Sequence, residues 1–281
     1  MDNNKVIGID VGGTKISAGL IVNGEILKNS VVPTGSKNKK EKILENLFKT
    51  INDVVTSDVK AIGIGVPGII DSKNGVVIEV NNIPSWNGLH LKQVIENKYK
   101  ISTYVANDAN CFVLGVRKFG VGSGYKNIVG VTLGTGVGTG IIINGSLYTG
   151  LENGTGEYGM VRYEDSNLET YCSGRFFKSI KGVDGKDVYL RALKGERDAL
   201  SLWEEYGNHL GELVKTILYT IAPEIIVFGG SVSNGYPFFI KSMKKSLEAS
   251  AIKHIAKKVI IKKAESCNNA VLGAAALCYP D

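Results

Sequence analysis

The chain lacks a long apolar run, and this absence argues against a membrane-spanning helix. Its 281 residues contain no uninterrupted apolar stretch of about 18 residues, the length that marks a membrane span. The longest candidate, residues 128–143, is broken by five glycines. The first residues are polar and lead directly into an apolar run, without the basic and apolar regions of a signal peptide. We therefore expect no membrane partner and no secretion.

Cysteine is scarce, and its spacing shows no pairing. The four cysteines are scattered, without a CxxC pair, at Cys111, Cys172, Cys267 and Cys278. Such a distribution is typical of reduced thiols rather than of a disulfide framework. We expect a cytoplasmic protein.

The lysine clusters contain no aromatic residues. The net charge is +6, and lysines concentrate in residues 37–42 and 257–263. Clusters of this kind are usually solvated faces rather than nucleic-acid footprints. The sequence therefore predicts no nucleic-acid partner.

Glycine, by contrast, is abundant, and it marks a repeat. The chain has 35 glycines, about 12% of its residues against a usual ~7%. Residues 6–16 and 128–138 each consist of an apolar run, a Gly-rich turn and a second apolar run, and each copy closes on Asn-Gly, at 23–24 and 144–145. Asn-Gly between apolar runs favours a hairpin. The repeat predicts two similar lobes, each with backbone N–H groups that can hold an anion; the alternative is two unrelated hairpins whose turns need glycine.

Predicted strands alternate with predicted helices, which is typical of α/β architecture. The strands are expected at 5–11, 15–22, 25–33, 59–66, 76–81, 102–106, 224–228 and 258–264, and the helices at 39–56, 88–99, after 110, at 197–221, 237–249 and 267–278. Gly120–Gly124 is the candidate hinge. We expect an N-terminal lobe over 1–119, a C-terminal lobe over 120–266, and a last helix within 267–281 that packs back on the first lobe.

Asp10 stands at the end of the first predicted strand, beside a Gly-rich turn. A carboxylate there suits a metal–phosphate complex, and it would hold Mg²⁺ directly or through water. Gly12 and Gly13 let the backbone approach oxygen atoms, and the hydroxyl of Thr14, next to Lys15, adds a donor. The alternative is an aspartate that caps a turn.

Two further turns follow predicted strands. Asp108, in Asn107-Asp108, opens a helix, where it is either a helix N-cap or a general base for a sugar hydroxyl. Gly229-Gly230 either underlies a flat ligand such as adenosine or is a plain turn. The residues themselves leave both alternatives open.

Taken together, these segments resemble the ROK family of sugar kinases. The resemblance covers the whole chain and rests on Asp10–Lys15, Gly63–Gly68, Asn82–Trp86, Asn107–Asn110, Leu133–Gly138, Gly156–Gly159, Glu169–Gly174 and Val227–Gly230. It implies the actin-like ATPase (ribonuclease H-like) fold, with two duplicated lobes and a central cleft for nucleotide and sugar. It also implies ATP and Mg²⁺ as cofactors, a small-molecule sugar as partner, and a homodimer.

The resemblance also implies roles for individual residues. Asp108 would be the catalytic base that takes the proton from the 6-hydroxyl as it attacks the γ-phosphate, and Asp10 the magnesium ligand. Contacts to the sugar are implied for Gly68, Asn82, Asn107, Asp108, Glu157, Met160 and Glu169, and contacts to the nucleotide for Asp10, Gly12, Gly13, Thr14, Lys15, Gly134, Thr135, Gly136, Gly138, Gly229 and Gly230.

Met160 departs from the family pattern. Most ROK proteins have a zinc-binding His at this position and a Cys-rich zinc loop after it, whereas no Cys occurs here between Glu157 and Glu169. Structural zinc needs His or Cys ligands at suitable spacing. We therefore expect no zinc site, which leaves open how the two glutamates are held.

The expected activity is an ATP-dependent kinase for the 6-hydroxyl of an N-acylhexosamine. Met160 is apolar and adaptable, which suits a 2-acetamido methyl group and favours N-acetylmannosamine, a sugar of sialic acid catabolism. Glucose is the alternative, followed by N-acetylglucosamine and fructose. A ROK repressor would carry a DNA-binding helix-turn-helix ahead of Asp10, which only nine residues precede. A sensor without catalysis would not need both Asp10 and Asp108.

Overall fold

Strands and helices alternate along residues 4–265 and 269–279, which the computed structural model describes. The strands are β1 (Lys5–Val11), β2 (Lys15–Val22), β3 (Glu25–Pro33), β4 (Val59–Val66), β5 (Ile69–Asp71), β6 (Val76–Glu79), β7 (Ser102–Asn107), β8 (Ile128–Leu133), β9 (Val137–Ile143), β10 (Ser146–Leu147), β11 (Arg162–Tyr163), β12 (Ser166–Asn167), β13 (Ile225–Gly229) and β14 (Ile260–Lys263). The α-helices are α1 (Lys40–Val54), α2 (Leu91–Tyr99), α3 (Asp108–Phe119), α4 (Leu168–Cys172), α5 (Gly185–Leu193), α6 (Arg197–Thr220), α7 (Tyr236–Glu248), α8 (Lys253–Ala256) and α9 (Asn269–Ala276). This alternation confirms the predicted α/β architecture.

Two five-stranded sheets have the same strand order. One is β3-β2-β1-β4-β7 and the other is β10-β9-β8-β13-β14. In the first, β1, β2 and β3 form an antiparallel meander, and β4 and β7 run parallel to β1. In the second, β9 and β10 are antiparallel, while β8, β13 and β14 are parallel. The matching order confirms the duplication that the repeat predicted.

The two Asn-Gly turns have the same backbone conformation. Asn23 and Gly24 have φ values of 51° and 84°, and Asn144 and Gly145 have values of 52° and 86°. Positive φ at both central residues is the requirement of a type I′ hairpin turn, which Asn-Gly meets best. The predicted hairpins are confirmed as β2–β3 and β9–β10.

The chain forms two compact units. One consists of Met1–Gly124, Gly140–Thr155 and Glu265–Asp281, and the other of Tyr125–Thr139 and Gly156–Ala264. Strand β9 therefore begins in the second unit and ends in the first. The predicted C-terminal lobe, 120–266, includes residues 140–155, whereas these residues belong to the first compact unit. The division into lobes at 1–119 and 120–266 describes the duplicated halves of the chain, and it stays a prediction.

Glycines in the first sheet let a helix approach its backbone. A Cβ atom at Gly8 of β1 would lie 2.0 Å from the carbonyl oxygen of Val271, and one at Gly63 of β4 would lie 1.8 Å from that of Ala274. Helix α9 carries both carbonyls and packs on β1, β4 and α3. These glycines are therefore required by close packing inside the first unit.

Aromatic side chains fill the core of the second unit. On α6, Trp203 and Tyr206 are buried against Phe177, with ring centroids 4.6 and 5.4 Å from it. The helix predicted at 197–221 is observed as Arg197–Thr220, just before Pro223. This long helix supports the wall of the cavity described below.

Residues 151–193 contain short elements that the sequence pattern did not predict. They are 3₁₀ helices at Leu151–Asn153 and Tyr158–Met160, the hairpin β11–β12, α4, a π-helix at Phe176–Ile180, and α5. Elements of two to nine residues are too short to show a hydrophobic period. This segment nevertheless carries Glu157, Met160 and Glu169.

Candidate active site

The first Gly-rich turn is closed by the backbone and anchored by a buried threonine. The N–H of Gly12 donates to the carbonyl oxygen of Lys15 at 2.9 Å. Thr34 is fully buried; its hydroxyl donates to the carbonyl of Gly12 at 2.6 Å, and its N–H donates to that of Thr14 at 3.0 Å. Thr34 was missed by the sequence analysis because it follows β3, far from the motif along the chain.

Asp10 is the last residue but one of β1, in an environment that disfavours its charge. The pKa of Asp10 is raised from 3.8 to about 6, mainly by burial and also by the nearby charge of Asp108, against the lowering effect of Lys15. Two carboxylates that influence each other in this way can share a cation.

Asn107, rather than Asp108, is the N-cap of α3. The Oδ1 atom of Asn107 accepts the N–H groups of Ala109 and Asn110 at 2.9 and 3.3 Å, and its Nδ2 donates to the carbonyl of Gly68 at 3.0 Å. Asp108 is the first residue of the helix, and its Oδ1 accepts the same Ala109 N–H at 2.9 Å. Burial raises the pKa of Asp108, against the lowering effect of that bond. Asn107 therefore caps the helix, the role that the sequence left open for Asp108.

The parallel strands bring these groups to one edge of the first sheet. Asp10 pairs in register with Gly65, and Val66 with Asn107, so the carboxyl ends of β1, β4 and β7 coincide. Gly68 follows β4 with a φ of 96°, and a Cβ there would lie 2.2 Å from the carbonyl oxygen of Glu79. Near the same edge, a Cβ at Gly13 would lie 3.2 Å from the Cβ of Asn82. We call this group the Asp10–Asp108 cluster; its members are Asp10, Gly12, Gly13, Thr14, Lys15, Gly68, Asn82, Asn107 and Asp108.

The second Gly-rich turn follows β8 in the second unit. The N–H of Gly134 donates to the carbonyl of Gly136 at 3.0 Å. Gly230, which follows β13, has a φ of 83°, and a Cβ there would lie 2.4 Å from the carbonyl oxygen of Leu133. The Gly229-Gly230 turn and the residue that precedes the second loop are thus in contact. Gly138 lies in β9, where its carbonyl accepts the hydroxyl of Thr132 at 3.3 Å.

A cavity of about 580 Å³ lies next to this loop, within the second unit. It is lined by Gly134, Thr135, Gly174, Arg175, Phe177, Lys178, Gly185, Lys186, Tyr189, Leu190, Trp203, Ser231, Val232, Asn234 and Gly235. The lining has an aromatic and aliphatic part, three cationic side chains and no acidic one. Apart from the loop residues, the sequence analysis missed this lining, because most of it lies on the short elements.

Glu169 lies on α4 and is held from three sides. Its Oε2 accepts the N–H of Val137 at 3.1 Å, and its Oε1 lies 2.9 Å from Nη1 of Arg175. The Cβ of Glu169 packs on Gly159, where an added Cβ would lie 3.3 Å away. A Cβ at Gly136 would lie 2.3 Å from Oε2, so this glycine of the second loop leaves the space that the carboxylate occupies.

A single 3₁₀ turn begins after Glu157 and ends at Met160. The N–H of Met160 donates to the carbonyl of Glu157 at 3.0 Å. Both residues are exposed, and Met160 is 55% exposed. The turn therefore offers a thioether and a carboxylate at the surface of the second unit.

Metal ligands are sparse in the described part of the chain. Residues 4–265 and 269–279 contain no group of three or more His, Cys, Asp or Glu side chains that could hold a metal ion. Cys111 and Cys172 are buried and free, and Cys278 is half-buried and free, whereas Cys267 lies outside the described residues. No helix within those ranges is long and apolar enough to cross a membrane. The expected lack of zinc stays a prediction.

The sequence and the fold both match known proteins. The profile of the ROK family matches residues 6–280. A glucokinase of Thermotoga maritima is 32% identical over 83% of this chain and 84% of its own length, and a glucokinase of Halalkalibacterium halodurans is 31% identical over 91% and 89%. The crystal structure of a ROK family glucokinase from Streptomyces griseus in complex with glucose and AMPPNP has a TM-score of 0.83 and 26% identity, covering 98% of this chain and 99% of that one. This likeness confirms the predicted fold class.

Proposed function

Because the chain belongs to the ROK family, we propose that it transfers the γ-phosphate of ATP to the 6-hydroxyl of a hexose. Its family and its glucokinase relatives make it an ATP-dependent sugar kinase. The observation that best supports the detailed reaction is the Asp10–Asp108 cluster, in which burial raises the pKa of both carboxyl groups at one edge of a sheet. Perturbed titratable groups that converge in this way are typical of active sites.

Asp108 is the proposed general base. Phosphoryl transfer depends mainly on positioning and charge neutralisation, so a carboxylate is a sufficient base. Burial raises the pKa of Asp108, which makes its carboxylate a stronger proton acceptor than that of a solvated aspartate. The Ala109 N–H orients that carboxylate at the start of α3. Asp108 would accept the proton of the 6-hydroxyl while the sugar oxygen attacks the γ-phosphorus, and the bond from that phosphorus to the bridging oxygen breaks to release ADP.

The donor set of the same cluster fits Mg²⁺. Asp10 would hold the ion directly or through water, because Mg²⁺ prefers carboxylate oxygens and retains several waters. The charge of Asp108 raises the pKa of Asp10, and a divalent cation relieves this repulsion between carboxylates. When bound, the ion neutralises charge on the triphosphate.

The cavity of the second unit is the proposed nucleotide site. Phe177, Tyr189 and Leu190 offer apolar surface to a purine, and Arg175 and Lys178 are cations that suit the phosphates. Backbone N–H groups of the adjacent loop, at residues 134–136, form the kind of concavity that binds anions. The absence of acidic side chains from the lining agrees with an anionic ligand.

Glucose is the acceptor that we propose first. Two relatives that are more than 30% identical over more than four fifths of this chain are glucokinases. Glu157 and Glu169 would accept hydroxyl groups of the sugar. N-Acetylmannosamine is the second candidate, because Met160 places an exposed thioether one turn after Glu157, where an acetamido methyl can pack against it.

A coupled ADP-release assay with a panel of hexoses tests this proposal. Glucose, N-acetylmannosamine, N-acetylglucosamine and fructose are compared with Mg²⁺–ATP in excess, and 6-deoxyglucose serves as the matched acceptor without the attacking hydroxyl. We expect glucose to give the highest kcat/KM and 6-deoxyglucose to give no turnover. A higher value for N-acetylmannosamine would select the second candidate, and ADP release unaffected by any hexose would refute the kinase assignment.

A further inference from the structure

Arg175 connects two parts of the second unit: Glu169, which we assign to the sugar, and the cavity, which we assign to the nucleotide. Its Nη1 lies 2.9 Å from Oε1 of Glu169. Arg175 also lines the cavity, together with Gly134 and Thr135 of the second loop. One residue therefore contacts the carboxylate that we assign to the sugar and lines the cavity that we assign to the nucleotide.

The backbone around Arg175 is tied to that loop. The N–H of Gly174 donates to the carbonyl of Gly134 at 2.8 Å, and the hydroxyl of the buried Ser173 donates to that of Thr135 at 3.2 Å. The N–H of Arg175 donates to the Ser173 oxygen at 3.2 Å. The loop and residues 173–175 are thus one hydrogen-bonded body, and the loop holds the backbone that carries the Arg175 side chain.

The orientation of the Glu169 carboxylate depends on Arg175. The side chain is 13% exposed, and its Oε2 accepts the N–H of Val137 at 3.1 Å. The ion pair with Arg175 fixes the other oxygen, Oε1. A carboxylate oxygen has a second lone pair, so an Oε1 held in this way can still accept a sugar hydroxyl.

The guanidinium suits a bridge between a carboxylate and a phosphate. It has five N–H donors in a planar fork that matches both groups, whereas a lysine ammonium is a point charge. Arg175 is 47% exposed, and an ion pair at such exposure contributes little to stability. A role in ligand binding accounts for the pair better than a role in folding.

We propose that Arg175 is a positioning residue that couples the two substrates, an inference that rests on the proposed kinase function. It holds Glu169 for the sugar and offers its remaining N–H donors to a phosphate at residues 134–136. A bound phosphate restricts the guanidinium, and the restricted guanidinium orients the carboxylate. Nucleotide and sugar therefore strengthen each other's binding, by the same factor in both directions.

The test is the affinity for glucose, or for the best hexose of the panel, measured by calorimetry with and without saturating Mg²⁺–AMPPNP. We expect the wild-type protein to bind the sugar at least about fivefold more tightly with the nucleotide analogue. In Arg175→Ala, this ratio should fall below about twofold, with an unchanged melting temperature. The proposal would be overturned if AMPPNP left the sugar affinity of the wild-type protein unchanged, or if Arg175→Ala kept the wild-type ratio of affinities.

Two matched variants separate this role from general loss of charge. Lys178→Ala removes another cation of the cavity; it should weaken AMPPNP binding and leave the ratio intact. Arg175→Lys keeps the charge but not the planar fork. Its affinity for the sugar in the absence of nucleotide should be higher than that of Arg175→Ala, and the ratio of affinities with and without AMPPNP should stay low. A reduced ratio in Lys178→Ala, or its full recovery in Arg175→Lys, would contradict the bridge.

A double-mutant cycle tests whether Arg175 acts through Glu169. In a Glu169→Gln background, Arg175→Ala should weaken sugar binding by less than about twofold, because the carboxylate that it positions is gone. If the fold-losses in sugar affinity of the two single variants multiply in the double variant, the two residues act independently and the inference is refuted. Turnover of the wild-type protein is a separate readout. No turnover with any hexose would remove the proposed function and this inference together. Normal turnover, with the ratio of sugar affinities unchanged by Arg175→Ala, would remove the inference alone.

Discussion

At the scale of single residues, position on the backbone separates the roles of two adjacent polar side chains. Asn107 caps α3 and binds the carbonyl of Gly68, which leaves Asp108 as the first helical residue. Burial raises the pKa of Asp108, as expected of a proton acceptor rather than of a cap. The catalytic assignment can therefore be tested at Asp108 without removing the cap.

We expect Asp108→Asn to fold, to bind AMPPNP and to lose at least ~10² in kcat, because the amide cannot accept the proton. In the wild-type protein, kcat should fall as pH is lowered through the raised pKa of Asp108. Initial rates and a pH profile check both points. Near-normal turnover of the variant would remove Asp108 from the role of base.

Asp10 gives a stability prediction with a defined sign. The pKa of Asp10 is raised from 3.8 to about 6, so the folded protein binds this proton more tightly than the unfolded chain does. The contribution of this bound proton to the free energy of unfolding is fully present below about pH 4 and is lost as pH rises through about 6. Asp10→Asn, which stays neutral, should raise the free energy of unfolding at pH 8 by up to about 3 kcal/mol, and by much less at pH 4.

Urea unfolding in EDTA at the two pH values measures this difference. Asp58→Asn is the control of opposite sign, since a hydrogen bond from Lys5 lowers the pKa of Asp58 to about 2. That variant should be less stable than the wild-type protein at pH 8. Equal effects of Asp10→Asn at both pH values would contradict a raised pKa.

Met160 gives a prediction about the acceptor. Its thioether offers packing to an acetamido methyl, worth up to about 0.8 kcal/mol for one methylene-sized group, and no hydrogen bond to a hydroxyl, a bond that contributes about 0.5–1.5 kcal/mol. Met160→His should therefore lower the ratio of kcat/KM for N-acetylmannosamine to that for glucose by roughly tenfold. Val161→Ala, at the exposed neighbouring position, should leave the ratio unchanged. An unchanged ratio in Met160→His would place residue 160 away from the sugar.

At the scale of elements, glycine on a strand sets how closely a helix can approach. Helix α9 lies so near β4 that a Cβ at Gly63 would overlap the carbonyl oxygen of Ala274, a backbone atom that cannot rotate away. The short apolar helix and the glycine-containing strands thus depend on each other. The sequence shows this glycine only as part of Gly63–Gly68.

Gly63→Ala should lower the free energy of unfolding by at least about 2 kcal/mol, because overpacking against backbone forces the helix to shift. The matched control is Gly134→Ala, where a Cβ would meet nothing within 4 Å. Its unfolding free energy should stay within about 1 kcal/mol of the wild-type value. Equal stability of both variants would show that α9 adjusts freely.

At the scale of the whole molecule, the chain departs from the family pattern at the position of a metal ligand. Met160 stands where most ROK proteins have a zinc-binding His, and the described residues hold no group of three or more metal-binding side chains. Glu169 is held by a backbone N–H and by Arg175. This set of contacts motivates the prediction that the carboxylate needs no metal ion.

We expect protein purified without added metal to contain no stoichiometric zinc and to keep its melting temperature in a strong chelator, whereas phosphoryl transfer should require added Mg²⁺. Elemental analysis, thermal melting and the rate with and without Mg²⁺ are the measurements. One zinc per chain, or unfolding on chelation, would show that other residues form a site.

The sequence by itself determined the features that depend on a few neighbouring residues. Asn23-Gly24 and Asn144-Gly145 specify positive φ, and hence both hairpins. The apolar period of α6 predicted its bounds, and the repeated Gly turns predicted two similar lobes, which the structure shows as two sheets with one strand order. Backbone conformation and amphipathic period are local properties, which is why the sequence alone reveals them.

Only the tertiary structure decided which distant groups meet. Thr34 anchors the first turn, Asn107 takes the helix cap from Asp108, and Arg175 pairs with Glu169. The raised pKa of Asp10 likewise follows from burial and from the Asp108 carboxylate at the start of α3. These relations depend on strand register and on the packing of short helices, neither of which has a local signature in the chain. A single residue's contribution to the site therefore depends on which partners the fold brings to it.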